Sequence, residues 1–213
     1  DGVLEIYATL SAPNRMDGKP QPGQVVRYVP AQQKGREAIV DLGDRHAKEI
    51  LVDDLDKDGR DELYISVEAV SGGQVEIRRY SENSDGLSSV TVVARLKDRL
   101  CRFLTAGDVD GDGNREMVAA TNKSGLWLLR PDSEKRDVSL IDKDSSGFEH
   151  ASILLDLDED GRDELYVASD RQGEVRRYDW AETGWGKQVL LKYEEGLKGF
   201  TWNIMPVPTE FLP

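Results

Sequence analysis

Asp54-Leu55-Asp56-Lys57-Asp58-Gly59-Arg60-Asp61-Glu62 is the first of three acidic stretches in which the sequence repeats itself. The others are Asp108-Val109-Asp110-Gly111-Asp112-Gly113-Asn114-Arg115-Glu116 and Asp156-Leu157-Asp158-Glu159-Asp160-Gly161-Arg162-Asp163-Glu164. Each reads D-x-D-x-D-G-x-x-E and is followed at once by an apolar pair: Leu63-Tyr64, Met117-Val118 or Leu165-Tyr166. Four carboxylates crowded into nine residues repel one another unless something cationic sits between them. A hard divalent cation meets that need, and Ca²⁺ suits it best, because it takes 6–8 oxygens in irregular geometry. The glycine supplies the freedom for the sharp turn that gathers the first, third and fifth positions. By analogy with other Asp-rich calcium loops, the expected side-chain ligands are Asp54, Asp56 and Asp58, then Asp108, Asp110 and Asp112, then Asp156, Asp158 and Asp160. The backbone carbonyls of Arg60, Asn114 and Arg162 would add one oxygen each, and Glu62, Glu116 and Glu164 would close the three shells. An EF-hand is disfavoured: its twelfth position needs a bidentate Glu, and here that position holds Ile65, Ala119 or Val167. One Asp-Gly cluster alone reads equally well as a solvated turn. Three in the same register argue for three Ca²⁺ sites.

The composition agrees with that reading. The chain has 213 residues, 38% of them hydrophobic, and its 20 glycines point to many turns. A net charge of −13 opposes the tracking of phosphates, so nucleic acid is excluded as a partner. Three Ca²⁺ would add six positive charges and bring −13 to −7. No apolar run approaches the roughly 20 residues that a membrane-spanning helix needs, so membrane insertion is not expected. Lone Cys101 rules out an internal disulfide and is expected to pack in a strand. Loops of modest affinity fill at the millimolar calcium found outside cells, so an extracellular or periplasmic, secreted protein is expected.

The loops start at positions 54, 108 and 156, spacings of 54 and 48 residues. Periods of this size signal propellers or solenoids. An apolar run enters each loop (49–52, 103–106, 152–155) and a second leaves it (63–67, 117–121, 165–169). After a Gly-containing turn comes a third run (75–80, 126–130, 175–178), and then a fourth (90–94, 138–141, 188–191). Short β-branched and apolar runs between turn residues read as strands, and four antiparallel strands per unit make a propeller blade. The expected fold is therefore an all-β propeller of four-stranded antiparallel blades. It forms a single domain over 1–213, with units at about 1–45, 46–98, 99–146 and 147–198. Asp1-Gly2-Val3-Leu4-Glu5-Ile6-Tyr7 matches Asp58-Gly59-Arg60-Asp61-Glu62-Leu63-Tyr64, and 25–28 and 38–42 follow as third and fourth strands. Trp202-Asn203-Ile204-Met205 reads as an entering strand, with Pro206 and Pro208 where the acidic run would stand. Residues 199–213 would then complete the first blade and close a four-bladed ring. A piece of a larger ring is the alternative. Because Asp1 falls in mid-motif, a mature or excised piece is expected, and a degenerate fourth metal site near Asp1 and Glu5 stays open.

These loops and their flanking strands resemble the FG-GAP/VCBS repeats of integrin α-subunit propellers and of many bacterial exported proteins. The resemblance covers nearly the whole chain and is specific at 54–62, 108–116 and 156–164. It implies an extracellular propeller in which calcium props the turn between the first and second strands of a blade. The family usually carries Asp at the ninth position and more than four blades, so Glu62, Glu116, Glu164 and the blade count are departures.

Beyond calcium, Lys48, Arg102 and His150 each lie six residues before a loop, with Phe200 at the matching position of the last unit. Around one axis the three could hold an anion such as the carboxylate of an acidic sugar; the plainer reading pairs them with Glu49, Glu149 or loop carboxylates. Arg27-Tyr28, Arg79-Tyr80 and Arg177-Tyr178 close the third strand of three units. They read as an anchor, Tyr packing while Arg reaches a carboxylate, or as a repeated ligand pocket. Trp180 and Trp185 fall in a Gly-containing segment between strands, where tryptophan marks a surface for stacking on a sugar. The functional expectation is a non-catalytic binding or adhesion module for a glycan or protein partner, within a larger surface protein in one version. The alternative is a lyase or hydrolase acting on an acidic polysaccharide.

Overall fold

A computed structural model describes residues 3–11, 17, 19–83, 86–131, 137–181, 183–194 and 199–207. It is all-β, with one short 3-10 turn at Pro30–Gln32. Among the described residues fifteen strands run in chain order: β1 Ile6–Ser11, β2 Gly23–Tyr28, β3 Arg36–Asp41, β4 Ala47–Asp53, β5 Glu62–Val67, β6 Val75–Asn83, β7 Gly86–Leu96, β8 Cys101–Gly107, β9 Glu116–Thr121, β10 Leu126–Arg130, β11 Asp137–Asp142, β12 Ser152–Leu155, β13 Glu164–Ser169, β14 Glu174–Ala181 and β15 Gly184–Lys192. They form four antiparallel meanders: β1-β2-β3, β4 to β7, β8 to β11, and β12 to β15. The apolar runs picked out by their β-branched content lie within these strands, except that 38–42 runs one residue past β3 and 202–205 lies in none.

The sheets repeat one another in register as well as in strand count. In the second sheet Leu63 faces Tyr80 and Tyr64 faces Arg79; in the fourth Leu165 faces Tyr178 and Tyr166 faces Arg177. In the first, Ile6 faces Tyr28 and Tyr7 faces Arg27. A bulge interrupts the pairing of the last two strands at the same place in all four sheets: Val25/Val26, Ile77/Arg78, Leu126/Trp127 and Val175/Arg176. A bulge bends and twists the strand that carries it, so all four sheets share one curvature device.

The chain forms two compact units, Asp1–Cys101 and Arg102–Pro213. In the first, Val25, Val40, Leu63, Ile65 and Val67 join the first and second sheets in one core. In the second, Val118, Leu128, Leu154, Leu165 and Tyr178 join the third and fourth. Each fully buried Leu, Ile or Val side chain contributes about 1.5–3 kcal/mol. Strands β5 and β9 are buried at every residue, whereas the last strand of the fourth sheet is exposed along most of its length. Strands β5 and β9 are therefore covered on both faces, and β15 is not.

Residues 202–205 form no strand, and among the described residues the first sheet has three strands. The preceding residues are held elsewhere. The Thr201 amide donates to both Asp170 carboxylate oxygens (3.2 and 3.1 Å), its hydroxyl lies 2.7 Å from Tyr193 Oη, and the Phe200 ring lies 5.4 Å from Phe148. Pro206 then removes a ladder donor. Asp1 and Pro208 lie outside the described residues.

Candidate functional site

Each acidic stretch links the first and second strands of its sheet, and the three have one backbone shape. Their fourth residue is left-handed in every case (Lys57 φ 58°, Gly111 φ 75°, Glu159 φ 61°), and so is their sixth (Gly59 φ 87°, Gly113 φ 82°, Gly161 φ 89°). That path turns backbone N–H groups inward. The first-position Asp accepts the sixth-position amide in each loop: Gly59 to Asp54 at 2.9 Å, Gly113 to Asp108 at 2.8 Å and Gly161 to Asp156 at 2.9 Å. The fifth-position Asp accepts the seventh-position amide: Arg60 to Asp58 at 2.9 Å, Asn114 to Asp112 at 2.7 Å and Arg162 to Asp160 at 2.9 Å.

Carboxylates converge as a result. Asp156, Asp158, Asp160 and Glu164 each bring an oxygen within 4.8 Å of the others, as do Asp54, Asp56 and Asp58, and Asp108, Asp110 and Glu116. Oxygens on opposite sides of a calcium ion, at 2.3–2.6 Å from it, stand about 5 Å apart, so the donor sets fit. The groupings differ in one member each. Asp112 also accepts from Asn114 Nδ2 at 3.0 Å, and Glu62 lies 3.4 Å from the Tyr64 hydroxyl.

The ninth-position glutamates are buried in all three loops. Glu116 accepts the Val109 amide at 3.1 Å and Glu164 the Leu157 amide at 3.2 Å, so each clasps the start of its own loop. Burial, the Asp110 charge and then Asp112 push the Glu116 carboxyl up to about 7 against the pull of the Val109 amide and Arg130. Burial also raises Glu164, but there the Tyr166 hydroxyl donates at 2.9 Å and opposes the rise. Val118 stands where Tyr166 would be and has no donor to offer Glu116. The first sheet keeps the same pair without an acidic stretch described before it: Tyr7 donates to Glu5.

The cation that meets these carboxylates is an arginine from the third strand of the same sheet. Arg79 lies 3.5 Å from Asp56, Arg130 lies 2.9 Å from Asp110 and 3.3 Å from Glu116, and Arg177 lies 2.5 Å from Asp158 and 3.5 Å from Glu164. Arg27 lies 3.6 Å from Glu5. The Arg-Tyr pairs thus do divide into packing and ion pairing, but the Arg stays within its own sheet. It is Tyr178 that crosses to the neighbouring sheet, donating to Asp142 at 2.9 Å. Arg130 is not visible as a motif, because the third sheet has no Arg-Tyr pair. Met117 faces Leu129, so Arg130 lies two residues beyond Leu128, the counterpart of Arg79, on the same strand face.

Adjacent loops of the second unit are bonded to each other. The Asp108 amide donates to the Asp163 carboxylate and the Asp163 amide to the Asp108 carbonyl, both at 2.8 Å. Gly107 leaves the room for this: a Cβ there would lie 2.3 Å from Asp163 Oδ2.

The other candidates fall in different surroundings. Lys48 lies 3.8 Å from Glu49 in the first unit. Arg102, in the second, is buried, pairs with Glu149 at 3.1 Å and lies over the Phe148 ring at 4.5 Å. His150 is fully buried, with Nδ1 2.6 Å from the Thr121 carbonyl and Nε2 2.8 Å from Ser145 Oγ. A carbonyl can only accept, so Nδ1 carries a proton. Trp180 and Trp185 are not loop residues. They face each other across β14 and β15 with ring centres 5.3 Å apart, partly buried against the core of the second unit. The hairpin closes at Ala181 and Gly184, which extends the strands through the segment whose glycines had suggested a loop.

More exposed aromatic residues lie elsewhere. Phe200 is 55% exposed and Trp202 67%, edge to face with ring centres 6.4 Å apart. Phe200, which Trp202 contacts, lines a cleft of about 610 Å³ together with Asp170, Gln172, Lys192 and Tyr193 among others. Among the described residues no helix is long and apolar enough to cross a membrane. Comparison of the sequence with models of known families and with curated proteins finds no match.

Proposed function

We propose that this chain is a secreted, calcium-stabilised β-propeller of the FG-GAP/VCBS kind that serves as a non-catalytic binding module. The observation that carries the metal is the threefold recurrence of one loop geometry, with inward amides, converging carboxylates and a buried glutamate. Calcium would be held by the first-, third- and fifth-position Asp side chains, the ninth-position Glu and the seventh-position carbonyl. Its charge would offset the burial and the carboxylate crowding that lift Glu116. The propeller is supported by four sheets with a common bulge, and by burial that falls from second strand to outer strand.

The partner is a glycan, and the surface best suited to it is the cleft beside Phe200 and Trp202. Exposed aromatic faces stack on sugar rings, and the carboxylate, amide and ammonium groups lining the cleft supply directional hydrogen bonds. Exposed aromatic residues of this size otherwise mark protein contacts. Glycan-array binding in calcium tests the reading. Trp202→Ala should abolish binding and leave the melting temperature unchanged, whereas Trp185→Ala should lower the melting temperature. Undiminished glycan binding by Trp202→Ala would contradict the assignment.

A further inference from the structure

The three arginines that meet the acidic loops occupy the partner that a metal ion needs. In the first two loops the third-position carboxylate is engaged at both oxygens. Asp56 Oδ1 accepts the Asp58 amide at 3.2 Å while Arg79 approaches Oδ2 at 3.5 Å. Asp110 Oδ1 lies 3.4 Å from the Asp112 amide while Arg130 donates to Oδ2 at 2.9 Å. In the third loop Arg177 donates to Asp158 Oδ2 at 2.5 Å. A metal that takes this carboxylate competes with the arginine for the lone pairs of Oδ2 and is repelled by its charge. The amide is fixed by the left-handed turn, so the side chain moves.

Alternative partners stand ready for two of the arginines. Arg177 Nε already donates to Asp179 at 2.6 Å, and Arg130 lies 3.9 Å from Asp137 and 5.5 Å from the Trp180 ring centre. Because these alternatives adjoin the present contacts, exchange needs rotation of one side chain and no backbone rearrangement.

We infer that Arg79, Arg130 and Arg177 are built-in competitors of the metal: each holds its loop together when calcium is absent and lowers the loop's affinity when calcium is present. This inference rests on the calcium reading above. Removing one positive charge beside a divalent ion tightens binding, by about tenfold for a partly solvated pair. The same removal exposes the crowded carboxylates of the metal-free loop and weakens the fold.

The test is calcium titration calorimetry and thermal melting on the full chain after chelator treatment, comparing wild type with Arg177→Ala, Arg130→Ala and Arg177→Lys. The expected result for either alanine variant is one site that binds about tenfold more tightly, with a lower melting temperature in excess chelator. Arg177→Lys keeps the charge and should stay near wild type. Calcium binding that is equal or weaker in both alanine variants, with wild type binding normally, overturns the competitor role alone. Absence of calcium binding in wild type and variants overturns the calcium reading with it. Should Arg177→Ala fail to fold, Arg130→Ala decides in a different loop.

Discussion

Lys57 and Glu159 hold left-handed backbone without being glycine, a conformation that costs an L-residue roughly 1–2 kcal/mol. They are kept there because the turn must aim amides at the first-position Asp. At the sixth position the same backbone falls to Gly59, Gly113 and Gly161, and a Cβ at Gly59 or Gly161 would meet nothing within 4 Å. Gly161→Ala should therefore destabilise through conformation alone, by about 1–2 kcal/mol in urea melts. A second residue-scale test concerns Asp142. Burial would raise its carboxyl, but the Asp144 amide, Lys187 and Tyr178 outweigh that and hold it below its ordinary 3.8. A carboxyl depressed in the folded state stabilises above its unfolded value and loses that contribution as pH falls through its folded one. Asp142→Asn should cost about 2–4 kcal/mol at neutral pH. The gap to wild type should narrow as acid melts are carried below pH 3.8.

At the scale of elements, each loop has the same parts: two left-handed residues, three Asp, a buried Glu and an arginine from the third strand. Asp110→Ala removes one third-position carboxylate and should reduce calorimetric stoichiometry from three calcium ions to two, leaving the other sites unchanged. The strands and the acidic loops were legible in the sequence, because alternation of β-branched residues and turn glycines is local information. The Trp180–Trp185 hairpin was not: glycines at 184 and 186 look like loop residues until β14 and β15 pair across them. Residues 202–205 carry strand-like composition, yet Thr201 and Phe200 are bound to Asp170 and Phe148, contacts set by tertiary structure alone. Arg130 escaped notice for the same reason. Its role depends on a strand register two residues removed from that of Arg79, and no pattern of letters encodes that.

At the scale of the whole molecule, the candidate metal sites sit at the turns from first to second strand in the second, third and fourth sheets. In the second unit the loops also bond to one another through Asp108 and Asp163. Metal bound there would fix the turns on which two packed sheets depend, so its loss should be felt by the core and not only by the loop. His150 and Arg102 are buried by the fold, which their sequence positions do not reveal. Their spacing before each loop was visible, but only the fold shows one bonded to Thr121 and Ser145 and the other to Glu149. The central claim is that recurring carboxylate clusters bind calcium. Anomalous diffraction from crystals grown in calcium tests it most directly: the account predicts one peak within bonding distance of Asp54, Asp108 and Asp156 each, and crystals with no peak in those three turns would contradict it.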